Sequence, residues 1–356
     1  MSYFSIFTAV TLILALFPPV SAKEPEEIWA DFEKLSGKER AGRLLSAANA
    51  ERKVVFYGNI ESDNLERLRG DFQKRYPGVK LEIWRGSGER TANRVLIEAR
   101  GGKFAVDVIG PSNENLPTLM EAGLVGRYRS PERAYYGDAH KDREGYWTSY
   151  DFNLVVMAYN SRLVAASQAP KKYEDFLDPK WRGDFAMDMD PDRAVMLWLK
   201  LWGEEKTERF LRDLMNNDLV VRKGHTLITQ LLCAGEYKAA VELYAYRLAS
   251  VKYEKGCPVE MVFPDPTPAG VTPIVIAKQS PNPYAAALLL DYILSEAGQR
   301  VLTEAGRLSG RRGIKPKYQE MDVEGKGIRV FPLRPEDAAQ LGKKYQQLRE
   351  RFLMRR

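Results

Sequence analysis

The chain has 356 residues, of which 44% are hydrophobic and 29% are charged, and its formal net charge at pH 7 is +6. This length and apolar content are sufficient for two lobes that each bury a core of their own. Residues 343–356 supply most of the positive charge, with six Lys or Arg and one Glu, so the nearly neutral body lacks the basic stripe of a nucleic-acid-binding protein.

The N-terminal segment has the pattern of a secretory signal peptide. Phe4 to Val20 is an uncharged, mostly apolar run of 17 residues, and Val20-Ser21-Ala22 matches the small-residue pattern that signal peptidase recognises. We therefore predict a signal peptide over residues 1–22 and a mature chain in the periplasm. Because no Lys or Arg precedes the apolar run, an uncleaved anchor is the alternative, although 17 residues are short for a membrane-spanning helix.

The next segments predict the first part of an α/β lobe. Apolar residues recur at helical spacing over 25–35 and 36–48, and these two helices are expected to pack on the back of the lobe. A unit of strand, polar loop and helix then occurs three times. Its strands are predicted at 54–57, 81–84 and 105–109. Because such units direct backbone N–H groups toward one edge of the sheet, a binding site is expected at that edge.

The loops of these three units carry candidate ligand-binding residues. Asn59 follows the first strand, Ser87-Gly88 opens the helix after the second, and Ser112-Asn113 follows the third. Free N–H groups and the positive end of the helix dipole make such loops suitable for an anion. An ordinary N-cap is the alternative at each loop, and the agreement of three loops at one edge favours binding.

The middle of the chain predicts a second α/β region. The extended segment 145–160 is too long for one ordinary strand, so we expect it to run from one lobe to the other. The chain then forms the second region and returns to the first lobe near residue 259. The later strands are predicted at 185–187, 239–244, 259–263 and 271–277, and the later helices at 192–202, 226–234, 283–294 and 295–305.

The second region supplies further candidate residues. Tyr244 and Tyr246 alternate, so an extended segment would place both on one side as aromatic walls or phenolate ligands, with Arg247 as the partner of an anion. Half-buried strand aromatics are the alternative. Asp188 and Asp190 follow a strand, where they either contact a ligand or cap the next helix.

Residue types that support catalysis are sparse. His140 and His225, the only histidines, do not form a metal-ligand pair at helical spacing, and neither a phosphate-binding loop nor a nucleophile elbow occurs. We therefore predict no catalytic residues and no cofactor, with an exported hydrolase or lyase that uses the two aspartates as the alternative. Cys233 and Cys257, the only cysteines, either form one disulfide or remain free thiols.

Several short blocks stand in an order typical of one protein family. They are Tyr57-Gly58, Tyr76-Pro77-Gly78-Val79, Asp107-Val108, Ala158-Tyr159-Asn160, the Asp-Pro-Lys-Trp-Arg-Gly block at 178–183, Gly235-Glu236 and the Ser-Glu-Ala-Gly-Gln block at 295–299. With these blocks, residues from about 53 to 308 resemble the type 2 periplasmic solute-binding proteins of ABC importers. The similarity is greatest to the branch that includes ferric-iron, thiamine, polyamine and phosphonate binders.

The resemblance implies a two-lobed α/β fold of the Venus-flytrap type. In this fold each lobe is a mixed sheet flanked by helices, and strands that cross near Trp147 and Pro266 join the lobes. The implied division is a signal peptide (1–22), an N-terminal helical extension (23–52), a first lobe (53–147 and 267–330), a second lobe (148–266) and a basic helical tail (331–356). The run of positive charges in this tail predicts the solvated face of a terminal helix.

The resemblance further implies a monomeric binding protein that hands a small-molecule ligand to a membrane permease. Ferric-binding relatives commonly use a histidine in the first loop and two adjacent tyrosines, but here the first loop reads Asn59-Ile60 and the tyrosine pair falls on Ala245 and Tyr246. A small anionic solute or a ferric chelate is therefore favoured over bare ferric iron, for which Tyr244 and Tyr246 would be the ligands. The expected ligand-binding residues are Asn59, Ile60, Ser87, Gly88, Glu89, Ser112, Asn113, Trp147, Asp188, Tyr244, Tyr246 and Arg247.

Overall fold

The structure is a computed structural model that describes residues 23–60 and 62–354. The predicted signal peptide over residues 1–22 lies outside the described residues. Within the described ranges, no helix has both the length and the apolar character that crossing a membrane requires.

The described residues form eleven α-helices, six short 3-10 helices and eleven strands. The helices are α1 (Pro25–Glu33), α2 (Gly37–Glu51), α3 (Ser62–Arg75), α4 (Gly88–Arg100), α5 (Leu116–Glu121), α6 (Asp192–Asn216), α7 (His225–Ala234), α8 (Ala245–Lys255), α9 (Pro283–Leu294), α10 (Glu296–Glu304) and α11 (Pro335–Phe352). The strands are β1 (Lys53–Gly58), β2 (Lys80–Arg85), β3 (Val108–Gly110), β4 (Val125–Gly126), β5 (Thr148–Asn160), β6 (Phe185–Asp188), β7 (Val220–Arg222), β8 (Ala239–Tyr244), β9 (Val259–Val262), β10 (Thr267–Ala277) and β11 (Val330–Leu333).

Two long strands connect two smaller mixed sheets. In the first lobe β1 pairs in parallel with β2 and β3, and β10 pairs antiparallel with β3. In the second lobe β5 pairs antiparallel with β8 and β9, and β6 lies parallel to β7 and β8. β5 and β10 also pair with each other between Thr148 and Leu154, and so cross from one lobe to the other. The predicted two-lobed α/β fold with crossing strands is confirmed.

Each lobe has its own apolar core. Trp29, Phe56, Phe72 and Leu289 belong to one buried cluster, which packs the N-terminal helices α1 and α2 onto the back of the first lobe as expected. A separate cluster in the second lobe includes Phe176 and Trp198. The strand-loop-helix units that were predicted from apolar spacing therefore form where expected, although β3 begins at Val108 and not at Ala105.

The prediction of an extended segment through Tyr244 and Tyr246 is wrong. β8 ends at Tyr244, and α8 begins at Ala245, so Tyr246 lies in the first turn of a helix. Strand alternation consequently does not set the directions of the two side chains. Their rings are nevertheless stacked, with 5.9 Å between centroids and 19° between ring planes.

The C-terminal tail differs from the solvated helix that its charge predicted. Val330 to Leu333 form β11, which pairs in parallel with β10, and α11 then packs against α6 of the second lobe. Ala338, Tyr345 and Leu348 of α11 are buried. The basic residues of the tail lie on the same helix as these apolar residues, so the charge count hides an amphipathic face.

Cys233 and Cys257 are joined by a disulfide, with 5.4 Å between their Cα atoms. The bond connects the end of α7 to the loop after α8, both in the second lobe. Of the two states that the sequence leaves open for these cysteines, the structure contains the bridged one.

Candidate functional site

A cavity of about 900 Å³ lies between the two lobes. It is bounded by the helix starts of the first lobe, by strand and helix ends of the second lobe, and by one face of α11. Its walls include Ser87, Gly88, Glu89, Ser112, Glu114 and Asn115 from the first lobe, Asp188, Asp190, Asp192, Arg193, Lys223, His225 and Tyr244 from the second, and Ala338, Gly342, Tyr345, Gln346 and Arg349 from α11.

The first-lobe wall is formed by two loops in close contact. Ser87 caps α4, because its Oγ accepts a hydrogen bond from the backbone N–H of Arg90 at 3.3 Å. A Cβ atom at Gly88 would lie 2.4 Å from the Cβ of Ser112, so only glycine allows the two loops to approach this closely. The backbone N–H groups of Gly88 and Glu89, at the start of α4, have no acceptor within the helix, and both residues line the cavity.

In the second-lobe wall, His225 lies between two carboxylates. Its Nδ1 is 3.0 Å from Oδ2 of Asp188, and its Nε2 is 2.8 Å from Oε2 of Glu242. Burial lowers the pKa of His225, but Glu242 and Asp188 outweigh burial and raise this pKa to about 10. For the carboxyl group of Asp188, burial acts in the opposite direction and raises the pKa. The hydrogen bond and the charge interaction with His225 outweigh burial, so the pKa of Asp188 is lowered. His225 is therefore an imidazolium at neutral pH.

Arg193 is a partly buried cation of the cleft. Its Nη1 donates a hydrogen bond to the hydroxyl of Tyr244 at 2.6 Å and lies 3.3 Å from Oδ1 of Asp192. Burial lowers the pKa of Arg193, but Asp192, Tyr244 and Glu114 together outweigh it and raise the pKa above the ordinary value. The guanidinium is thus held charged among groups that can share its hydrogen bonds.

A carboxyl pair connects the two lobes beside Arg193. Glu114 of the first lobe hydrogen-bonds to Asp192 of the second lobe. Burial is the main cause that raises the pKa of Asp192 well above its usual range, whereas Arg193 outweighs burial and lowers the pKa of Glu114. The two carboxyl groups thus share a hydrogen bond between the lobes beside the Arg193 guanidinium.

α11 forms the remaining wall. The hydroxyl of Tyr345 donates a hydrogen bond to Oδ1 of Asp190, and Nε of Arg349 donates one to the carbonyl oxygen of Met189 at 3.0 Å. These bonds hold the helix against the loop that follows β6. They leave Gly342 and Gln346 accessible from the cavity, with the buried Ala338 beside them in its wall.

The structure brings half of the expected ligand-binding residues to the cavity. Ser87, Gly88, Glu89, Ser112, Asp188 and Tyr244 line it.

Two of the other expected residues lie in the first loop and do not line the cavity. Oδ1 of Asn59 accepts a hydrogen bond from the Tyr150 hydroxyl at 3.4 Å, and Ile60 is buried.

Four further expected residues contact other parts of the protein. Nδ2 of Asn113 donates a hydrogen bond to the carbonyl oxygen of Leu333, and Nε1 of Trp147 donates one to Glu336. The guanidinium of Arg247 lies over the ring of Tyr246, 5.3 Å from its centroid. Asn113 therefore contacts the end of β11, and Trp147 contacts the first turn of α11.

Several cavity residues were missed by the sequence reasoning. Glu114 directly follows an expected residue, and Arg193 opens a predicted helix, so their positions in the chain are local signals that could have included them. His225 gives no such signal, because its partners Asp188 and Glu242 are far from it in sequence. The α11 residues were missed because a basic terminal helix is usually solvated.

Tyrosines and carboxylates of the cavity are largely occupied by partners within the protein. Tyr244, an expected ligand for bare ferric iron, accepts the hydrogen bond from Arg193. Across residues 23–60 and 62–354, no three or more His, Cys, Asp or Glu side chains are grouped so that they could hold a metal ion.

Comparison with known proteins gives one family and one fold. The family model described as bacterial extracellular solute-binding protein matches residues 113–323. The Fe(3+)-binding periplasmic protein of Serratia marcescens is 24% identical over 204 residues, which are 56% of this chain and 59% of that relative. The chain therefore matches less than two thirds of the length of this curated relative.

Solved structures share the fold over most of the chain. Iron-bound HitA from Pseudomonas aeruginosa is 21% identical with a TM-score of 0.75, and the match covers 84% of this chain and 99% of HitA. AfuA from Actinobacillus pleuropneumoniae with fructose-6-phosphate bound is 20% identical with a TM-score of 0.68, and the match covers 85% of this chain and 97% of AfuA.

Proposed function

The chain belongs to the bacterial extracellular solute-binding protein family, and from this premise we propose that it captures a small anionic solute or a ferric chelate for an ABC importer. The ligand would bind in the cavity between the lobes and be handed to a membrane permease. We also propose that the protein is periplasmic and monomeric, and that its lobes have the boundaries predicted from the sequence.

The observation that carries the proposal is the composition of the cavity wall. Ser87 and Ser112 come from the first lobe, whereas Arg193 and Lys223 come from the second. A ligand that contacts both walls stabilises the closed arrangement relative to an open one, since it gains contacts only when the lobes are together. This is the physical basis of a clamp that closes on its solute.

Two cationic features favour an anion over a neutral or cationic ligand. Lys223 is exposed at the cavity and forms no ion pair within the part of the chain that the structure describes. The start of α4 presents backbone N–H groups and the positive end of the helix dipole from the opposite wall. Two of the carboxylates nearby are engaged, since Asp188 interacts with His225 and Asp190 accepts a hydrogen bond from Tyr345, whereas Glu89 is exposed on the first-lobe wall.

Bare ferric iron is the alternative ligand, and the name of the Serratia marcescens relative supports it. For iron to bind directly, Tyr244 would have to exchange its hydrogen bond from Arg193 for the metal. A chelated ion does not require that exchange, because its own oxygen ligands already surround the metal.

A binding role is also favoured over the acid-base role considered for Asp188 and Asp190. A general acid or base needs a carboxyl group within hydrogen-bond reach of a substrate. Both side chains instead hold other parts of the cavity wall, His225 in one case and α11 in the other.

Calorimetric titration with a defined panel tests the proposal. The panel is inorganic phosphate, fructose 6-phosphate, citrate, ferric citrate and the cation putrescine. We expect at least one anion or the ferric chelate to bind, and Lys223→Ala to weaken that binding by about tenfold through loss of a charge-assisted contact. Lys38→Ala, at an exposed lysine on α2, is the matched control and should leave the affinity unchanged.

Two results would contradict the proposal. Binding of putrescine without binding of any anion would show that the ligand class is wrong. Equal effects of Lys223→Ala and Lys38→Ala would show that the cavity is not where the anion binds. For bare ferric iron, a visible phenolate-to-iron absorption band that is lost in Tyr244→Phe would favour direct coordination over binding of the chelate.

A further inference from the structure

One face of α11 is directed into the cavity over most of the length of the helix. Ala338, Gly342, Tyr345, Gln346 and Arg349 line the cavity, and their spacing of four, three, one and three residues places them on one side of a helix. The sequence did not predict that this face takes part in the site. Through it the C-terminal segment forms a third wall of the cavity beside the two lobes.

The helix is fixed to the second lobe by several independent contacts. Asp337 pairs with Lys200 at 2.9 Å, and Arg351 pairs with Glu208 at 2.7 Å. The side chain of Tyr345 is buried in the apolar cluster of that lobe. α11 therefore has a defined position relative to Arg193 and Tyr244, and its face toward the cavity is a fixed surface.

The segment that begins α11 also contacts the first lobe. The carbonyl oxygen of Leu333 accepts a hydrogen bond from Asn113 at 3.2 Å, and Oε1 of Glu336 accepts one from Trp147 at 3.3 Å. The β11–α11 segment thus extends across both lobes at one side of the cavity. A solute held between the lobes lies beside this segment.

The face of α11 is electrically neutral where it meets the cavity. Ala338 and Gly342 carry no polar side-chain atoms, and Gln346 is an uncharged amide. The charge of Arg349 is compensated by Asp190, whose Oδ1 lies 3.2 Å from Nε. The uncompensated cation Lys223 and the start of α4 belong to the other walls.

We propose that α11 is a ligand-contacting wall that selects an organic anion with a neutral polar body, the charged group being held by the lobes and the body resting on Gly342 and Gln346. This inference rests on the proposed function and specifies its ligand class. The cavity volume of about 900 Å³ is within the range of sites for organic molecules and far exceeds the needs of inorganic phosphate or a bare metal ion.

Gly342 offers a direct test. A Cβ atom at this position would meet no other atom within 4 Å, so a larger side chain would extend into the cavity without disturbing the packing of α11. Leucine also has a higher helix propensity than glycine, so Gly342→Leu should fold at least as well as the unmodified protein. Gly70→Leu, at an equally open glycine within α3, is the matched control.

The experiment is calorimetric titration of the full chain and both variants with fructose 6-phosphate, citrate and inorganic phosphate, together with thermal melting. We expect Gly342→Leu to weaken binding of an organic probe at least about tenfold, to change binding of inorganic phosphate less than about twofold, and to keep the melting temperature. Gly70→Leu should change no affinity. If Gly342→Leu does not fold, Gln346→Phe places a similar obstruction at an exposed position of the same face.

The outcomes separate the inference from the function on which it rests. Organic probes that bind the unmodified protein and Gly342→Leu equally well would overturn the role of α11 and leave the proposed function intact. Equal weakening of inorganic phosphate and the organic probes would also overturn it, because the obstruction would then act on the charged group. If the unmodified protein bound no anion at all, both would be wrong.

Discussion

The imidazole ring of His225 is stacked on the phenol ring of Tyr244, with 4.1 Å between centroids and 19° between ring planes. The same imidazole contacts Asp188 at the end of β6 and Glu242 within β8. One charged ring therefore ties the start of α7 to two strands and supports the aromatic wall of the cavity.

This arrangement predicts a loss of stability at alkaline pH. The pKa of His225 is raised from 6.5 to about 10 in the folded protein, so between these values the folded state binds more protons than the unfolded state. The contribution of His225 to the free energy of unfolding should consequently be complete below about pH 6.5 and decline as the pH rises toward 10. Urea denaturation across this interval measures the decline.

A pair of variants isolates the contribution of His225. His225→Gln should cost about 3–5 kcal/mol, because it leaves Glu242 buried without its cation. The double variant His225→Gln/Glu242→Gln should recover much of this loss and show a weaker decline between pH 6.5 and 10. An unaltered pH dependence in the double variant would show that other groups cause the decline.

The helices and strands that carry the site could be predicted from the sequence, whereas the ion pairs within the site could not. Apolar spacing predicted β1, β2, α3 and α4, since these elements follow from local periodicity and polar loops. Ser87 and Gly88 were expected at the cavity for the same reason, because a helix start lies next to its strand. His225, Glu242 and Asp188 meet through sheet pairing of segments that are far apart in sequence, which local patterns do not encode.

Asp107 predicts a second stability effect, located in the first lobe. This fully buried carboxylate accepts hydrogen bonds from the backbone N–H of Val55 at 2.7 Å, the hydroxyl of Ser280 at 2.7 Å and the backbone N–H of Asn282 at 2.9 Å. Asp107→Ala should lower the free energy of unfolding by about 3 kcal/mol or more, because several buried donors lose their acceptor.

Asp107→Asn and Ser280→Ala are the comparisons for this carboxylate. In Asp107→Asn the amide oxygen can still accept some of these hydrogen bonds. Ser280→Ala removes one donor and leaves no unpaired hydroxyl behind. Each variant should therefore lower the free energy of unfolding by about 1–2 kcal/mol. Denaturant titration distinguishes the three variants. If Asp107→Ala were as stable as Ser280→Ala, the carboxylate would not be the common acceptor that organises this region.

The disulfide predicts a stability effect without an effect on binding. Cys233 and Cys257 close a loop with a sequence separation of 24 residues, and neither lines the cavity. Replacing both by Ser should lower the free energy of unfolding by roughly 3 kcal/mol in the chain-entropy account. Denaturation of the double variant measures this loss, and reduction of the unmodified protein should reproduce it. A change of ligand affinity in the still-folded double variant would contradict the separation of the bond from the site.

Two errors of the sequence interpretation have the same physical origin. Tyr246 was placed in an extended segment because its spacing from Tyr244 fits a strand, but two residues of alternation are too short to distinguish a strand from the first turn of α8. The basic tail was interpreted as solvated, whereas Tyr345 and Leu348 pack on the second lobe. In both cases the deciding contacts are tertiary, and they override the local pattern.

The close approach of Arg193 to Gly270 predicts a coupled pair of variants. A Cβ atom at Gly270 of β10 would lie 1.7 Å from Nε of Arg193, so Gly270→Ala must displace the guanidinium. The displacement breaks its bond to Tyr244 and its contact with Asp192, and should cost about 1–3 kcal/mol, since the end of this side chain is flexible and partly exposed at the cleft. Arg193→Ala removes the obstacle, so the double variant should be no less stable than Arg193→Ala alone, which is a strongly non-additive result.

Gly42→Ala, at an open helical glycine in α2, is the control and should stabilise the protein by up to about 1 kcal/mol. Denaturant titration of the three variants and the control measures the coupling, and additive losses from Gly270→Ala and Arg193→Ala would refute the contact.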